Sequence, residues 1–117
     1  MHADPPIPLA PVELYLLIVL AEGASYGYEI MKRIEAQSDG AVRPDVGALY
    51  RVLARLAVQG FVAEAETPRH APDAHPGRTR RYYGITAAGR QALRAELVRL
   101  RSVVDLATER DLLPDRG

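Results

Sequence analysis

Apolar positions along the chain fall into four stretches with helical spacing and one pair of short alternating stretches. The first, Val12 to Glu22, is opened by Pro11 in the first turn and stopped by Gly23. It is apolar on nearly every side, so it needs cover from more than one neighbour. Ser25 is placed to cap a second helix reaching about Gln37, with Ile30, Met31 and Ile34 inward and Asp39-Gly40 ending it. Asp45 caps a third helix, stopped by Gly60, in which Val46, Leu49, Leu53 and Leu56 recur at steps of three and four. At about 100° per residue, Gly47, Arg51, Ala54, Arg55 and Val58 take the opposite face, with Tyr50 at the flank.

The pattern then changes period. Phe61, Ala63 and Ala65 alternate with Val62, Glu64 and Glu66, which predicts a half-buried strand. Thr67 to Thr79 carries Pro68, Pro72, Pro76 and Gly77 and reads as a loop. Arg80 to Ile85 predicts a second strand, with Tyr83 on the side of Ile85 and assigned to the core. Thr86 caps a last helix running to about Leu112 and ended by Pro114. Its Leu93, Leu97, Leu100, Val104 and Ala107 follow the spacing of a coiled-coil seam. The expected fold is mainly α with a β-hairpin: a winged helix-turn-helix of three helices and a two-stranded wing, plus a long C-terminal dimerisation helix. Residues 1–10 are expected as a flexible N-terminal arm, 11–86 as the winged-helix domain and 87–113 as the dimerisation helix.

Composition narrows the function. At 117 residues the chain has room for one domain, and without Cys it has neither disulfides nor thiolate metal sites. Eighteen of its apolar residues are Ala, so the core of a monomer is modest and oligomerisation is expected. The longest apolar run, Leu14 to Ala21, is far short of the ~20 residues that span a bilayer. With no cationic leader before it, the expected location is cytoplasmic, with no membrane partner. His70 and His75 bracket Asp73 in the loop, but a Pro-rich segment lacks the rigid frame a metal site needs, so no metal and no cofactor are expected. The three Ser residues form no nucleophile arrangement with a His, and no enzyme is expected.

Charge is more informative than its total. Basic and acidic residues balance at 15 each, yet residues 43–101 hold eleven basic and five acidic groups. A neutral chain with a basic middle suits a phosphate-bearing partner. All the basic groups but Lys32 are Arg, whose planar fork matches phosphates and guanine edges. Arg51 and Arg55 share the outer face of the third helix, and Gly47 lets its N-terminus come close to a backbone. Arg78, Arg80 and Arg81 sit where the loop becomes a strand, with Arg69 on the other arm. The rival reading is a winged-helix protein–protein interaction module whose Arg groups are ordinary surface. Salt-dependent binding to duplex DNA separates the two.

Three ordered motifs, Tyr26-Gly27-Tyr28-Glu29-Ile30, Arg43-Pro44-Asp45-Val46-Gly47-Ala48-Leu49-Tyr50 and Arg80-Arg81-Tyr82-Tyr83-Gly84-Ile85-Thr86-Ala87-Ala88-Gly89, resemble the PadR family of bacterial transcriptional regulators. The resemblance runs from residue 12 to about 110 and points to the subfamily with a single C-terminal helix. It implies a homodimeric repressor that binds a pseudo-palindromic operator in double-stranded DNA and is released by a small aromatic or cationic effector. The family's usual hydroxyl residues on either side of Gly47 are replaced by Asp45, one residue further back, and Ala48, whose methyl could touch a thymine methyl.

The DNA-binding set expected on these grounds is Tyr26, Arg43, Gly47, Ala48, Tyr50, Arg51, Arg55, Arg78, Arg80 and Arg81. Tyr50 matches the family's tyrosine on the recognition helix. Of Tyr26 and Tyr28, one packs inward and the other faces DNA or the first helix. The expected dimerisation set is Leu93, Leu97, Leu100, Val104 and Ala107, joined by Leu16 and Val19 of the first helix.

Overall fold

A computed structural model describes residues 8–67 and 80–114 of the chain. The expectation for residues 1–7 of the arm, and for Arg69, His70, Asp73, His75 and Arg78, lies outside them. Helix α1 (Pro11–Ala21) is central, as an all-round apolar helix must be: it packs on α2 (Gly27–Gln37), α3 (Val46–Val58), strand β3 (Tyr82–Ile85) and α4 (Ala87–Glu109). Leu16, Leu17, Val19 and Leu20 are buried to within 1%. They meet Ile30 and Ile34 of α2, Leu49, Val52, Leu53 and Leu56 of α3, Val62 and Leu93 in one core.

The two-stranded wing is present as expected, and a third strand joins it in a small antiparallel sheet. Its order is β1 (Ser25–Tyr26), β3, β2 (Val62–Ala65), with Ser25 opposite Tyr83, Tyr26 opposite Tyr82, and Val62 opposite Ile85. Ser25 is therefore a buried strand residue and not the cap of α2; Tyr26 occupies the cap position without a side-chain bond, and the Ser25 hydroxyl donates to Glu29. The expected tyrosine facing holds, since Tyr83 packs with Ile85 against the core. Tyr82 is buried at 4% exposure, its ring edge-on to Tyr26 at 5.4 Å, whereas Tyr83 is half-buried.

Two further positions are rotated from expectation. Val46 is 57% exposed and Val52 is buried, so the inner stripe of α3 runs through Leu49, Val52, Leu53 and Leu56. Leu16, Val19 and Leu93 are covered by their own chain, which removes them from any free dimer face.

The join between wing and last helix is tight. Thr86 donates its hydroxyl hydrogen to the Gly60 carbonyl at 2.6 Å, and the same oxygen accepts from the Gly89 amide at 2.9 Å, capping α4. The Thr86 amide donates to the Phe61 carbonyl at 3.0 Å. Gly89 is needed there because a Cβ would run into that carbonyl oxygen and stand 2.8 Å from Ile85 Cγ1. Beyond Glu96 no described residue of α4 is buried.

Glu96 is itself enclosed, at 1% exposure. It accepts from the Leu9 amide at 2.8 Å and takes Arg99 in a two-point bridge at 2.6 and 3.0 Å. Arg99 and that amide hold its carboxyl below the usual carboxylate range, against the opposing effect of burial. Leu9 packs on the core, so the arm is tied down by its eighth to tenth residues.

Candidate nucleic-acid interface

Helix α3 begins where Asp45 accepts from the Ala48 amide at 2.7 Å. Its buried stripe anchors it to α1 and α2, and the opposite face is left outward: Val46, Gly47, Tyr50, Arg51, Ala54, Arg55 and Val58 are all exposed. Helical side chains lean toward the N-terminus, so Arg51 lies back over Gly47, its Nη1 3.3 Å from where a Cβ would stand. Glycine is what lets the guanidinium settle there.

Tyr50 crosses from α3 to the start of α2. Its hydroxyl occupies the place of a Cβ on Gly27, with Cζ 2.9 Å from that point, while the side chain stays 46% exposed. The Tyr-Gly-Tyr sequence at the start of α2 thus has a physical reason: Gly27 is the seat of the α3 tyrosine. Tyr28 points outward at 61% exposure, with Lys32 Nζ 5.3 Å from its ring centroid.

The arginines divide into two groups. Arg43 is exposed, with Nε bonded to the Gly40 carbonyl at 3.2 Å and 3.8 Å from Glu35. That holds its guanidinium at the end of α2, whereas Arg51 presents its own at the N-terminal end of α3. Arg55 instead donates to the buried Glu13 of α1 at 3.1 Å, and Arg81 bridges to Glu64 of β2 at 3.3 Å. Arg80 lies over the Tyr26 ring, its Cζ 4.4 Å from the centroid, with Nη1 buried and without a hydrogen-bond partner. Tyr26 is consequently stacked between Arg80 and Tyr82 rather than free on the surface. The cationic face is narrower than a count of Arg predicts.

Ala48 is half-buried behind Asp45. Sequence reasoning missed Val46 and the Tyr28–Lys32 pair as outward groups; the four-residue spacing of the pair was the available signal.

On α4, Leu97 and Val104 are 42% and 50% exposed, and Leu100 and Ala107 are half-buried. Val103, also 50% exposed, falls on the same side by helical spacing and widens the stripe. Among the described residues no helix is long and apolar enough to cross a membrane.

The family model described as transcriptional regulator PadR-like matches residues 16–95. No curated protein matches the chain. The fold is similar to that of a transcriptional regulator from Clostridium thermocellum, at 28% identity and a TM-score of 0.65, over 84% of this chain and 87% of that one. A PadR family transcription regulator from Clostridium difficile shares the fold at 19% identity and a TM-score of 0.68, over 86% and 97%. Bacillus subtilis PadR in complex with operator DNA does so at 20% identity and a TM-score of 0.61, over 76% of this chain and 48% of that one.

Proposed function

The chain belongs to the PadR-like family of transcriptional regulators, and from that premise we propose that it is a sequence-specific DNA-binding repressor acting as a homodimer. The observation that carries the reading is the outward face of α3, where Val46, Gly47 and Arg51 are exposed. A helix anchored on one side and bare on the other is what a major groove admits. The kinship in fold with Bacillus subtilis PadR, solved on operator DNA, supports the same docking.

The second half of the reading is the dimer. Leu97, Leu100, Val103, Val104 and Ala107 form an apolar stripe that its own chain leaves open, and a second copy of α4 is its occupant. A two-fold pairing of this kind sets two α3 helices against successive major grooves, about 34 Å apart. Operator occupancy blocks transcription, and a small aromatic or cationic effector bound near the dimer interface changes that spacing and releases the DNA.

Titration of a labelled promoter duplex, taken from beside the chain's own gene, tests the proposal at several salt concentrations. Affinity falls by about 0.9 log unit per log unit of salt for each phosphate neutralised. A salt-insensitive complex, or no complex, sinks the DNA-binding reading.

A further inference from the structure

The first turn of α3, Val46 to Leu49, carries no side chain able to donate a hydrogen bond to a base. Val46, Gly47 and Ala48 have neither hydroxyl nor amide, and the Asp45 carboxylate is engaged by the Ala48 amide. Yet Val46, the first residue of the helix, is held out at 57% exposure with no part of the core covering it. One turn on, Tyr50 stands on the same side of the helix, its ring fixed over Gly27. In the adjoining row Arg51 reaches back over Gly47, which brings its guanidinium level with the first turn. An isopropyl group is thus presented at the helix tip, with an aromatic ring one turn behind it and a planar donor fork in the adjoining row.

The major groove offers one apolar feature for such a group, the C5 methyl of a pyrimidine. Arg51 supplies the complementary polar contact, since its fork matches O6 and N7 of guanine. Resting on the DNA-binding reading above, we propose that Val46 is a specificity-determining residue that selects thymine, through its C5 methyl, next to a guanine read by Arg51. Burying one methyl contact at each half-site favours thymine over its demethylated analogue by about fourfold per half-site. The same methyl is carried by 5-methylcytosine, and the partner base tells the two sources apart.

The test starts from duplexes enriched by the wild-type chain from a randomised library. Each thymine of the selected site is replaced in turn by deoxyuridine, which removes the methyl and leaves the pairing edge intact. In a second arm each T·A pair is replaced by 5-methylcytosine·G. At one thymine per half-site, deoxyuridine weakens wild-type binding about fourfold, and 5-methylcytosine·G weakens it too. Val46→Ala, which is exposed and a better helix former, keeps the wild-type melting temperature and binds the two forms equally. Equal wild-type affinity for thymine and deoxyuridine at every position, or discrimination retained by Val46→Ala, overturns the role of Val46 and leaves the DNA-binding reading standing. Full wild-type affinity for 5-methylcytosine·G at that position assigns the selectivity to methylated cytosine and overturns the thymine assignment. Failure to enrich any duplex overturns both.

Discussion

Arg55 of α3 is held by Glu13 of the central helix, Nε to Oε2 at 3.1 Å across 42 positions of chain. The other oxygen of Glu13 accepts from the Ala10 amide at 2.7 Å, so one buried carboxylate both caps α1 and positions α3. Arg55 is half-exposed, and Arg55→Ala costs about 1 kcal/mol of stability. Glu13→Ala leaves the helix start without its acceptor and costs about 1–3 kcal/mol. Arg51→Ala leaves stability within about 0.5 kcal/mol, since it is a surface change, but lowers the salt dependence of DNA binding by about one phosphate. Urea unfolding followed by circular dichroism, beside DNA titration, distinguishes the two arginines. A larger fall in salt dependence for Arg55→Ala than for Arg51→Ala contradicts this division.

Tyr50 and Gly27 should be energetically coupled. A methyl at residue 27 displaces the outer end of the Tyr50 ring, so Gly27→Ala weakens DNA binding and costs at most about 1 kcal/mol of stability. With Tyr50→Ala the space is vacant, and Gly27→Ala then becomes neutral or slightly stabilising through helix propensity. A double-mutant cycle measures the coupling, expected at roughly 1–2 kcal/mol. Additive effects refute the seat.

Glu96 makes stability depend on acid. Its folded carboxyl pKa is lowered, chiefly by Arg99 and further by the Leu9 amide, so the contribution is present above the ordinary value of 4.5 and is lost as pH falls through the folded value. Wild-type stability therefore drops more steeply below pH 4.5 than that of Glu96→Gln. Exchange of the Leu9 amide quickens over the same range as the arm detaches. Parallel pH profiles for the two proteins are the contrary result.

Two leucines four residues apart on α4 should behave oppositely. Leu93 is 7% exposed within the core, and Leu93→Asp unfolds the chain. Leu97 is 42% exposed, and Leu97→Asp leaves a folded monomer that no longer binds operator DNA tightly. Sedimentation at micromolar concentration, with circular dichroism as the folding check, reads both. A wild-type monomer, or a Leu97→Asp dimer that still binds, rules out the α4 interface.

Much of this was legible in the residues because it is local. Asp45 and Thr86 cap the helices they were expected to cap, each through the amide three residues on. Leu49, Leu53 and Leu56 of α3 face inward at the helical spacing expected of them. What the residues do not carry is pairing between distant segments. Ser25 resembles a cap because a two-residue strand leaves no periodic signal, and its partner Tyr83 lies far along the chain. That strand brings Tyr26 over Tyr82, so Tyr82 is buried as well, although the alternation of Arg80 to Ile85 places Tyr83 on the core side. Leu16 and Val19 are apolar on an all-round apolar helix, and hydrophobicity alone does not say whether the cover is the same chain or another. Arg55 reads as an outward cation until Glu13 is brought beside it.

The bond set uniting Gly60, Phe61, Thr86 and Gly89 makes the root of α4 a fulcrum. From Gly89 to Glu109 the helix is a rod of about 30 Å, by the usual rise of 1.5 Å per residue. A tilt of ten degrees at such a root sweeps its far end through about 5 Å, nearly a full helical turn. Because α3 ends at the same root, the rod is a lever: in the dimer proposed above, small angular changes at Gly89 become large changes in the distance separating the two copies of α3.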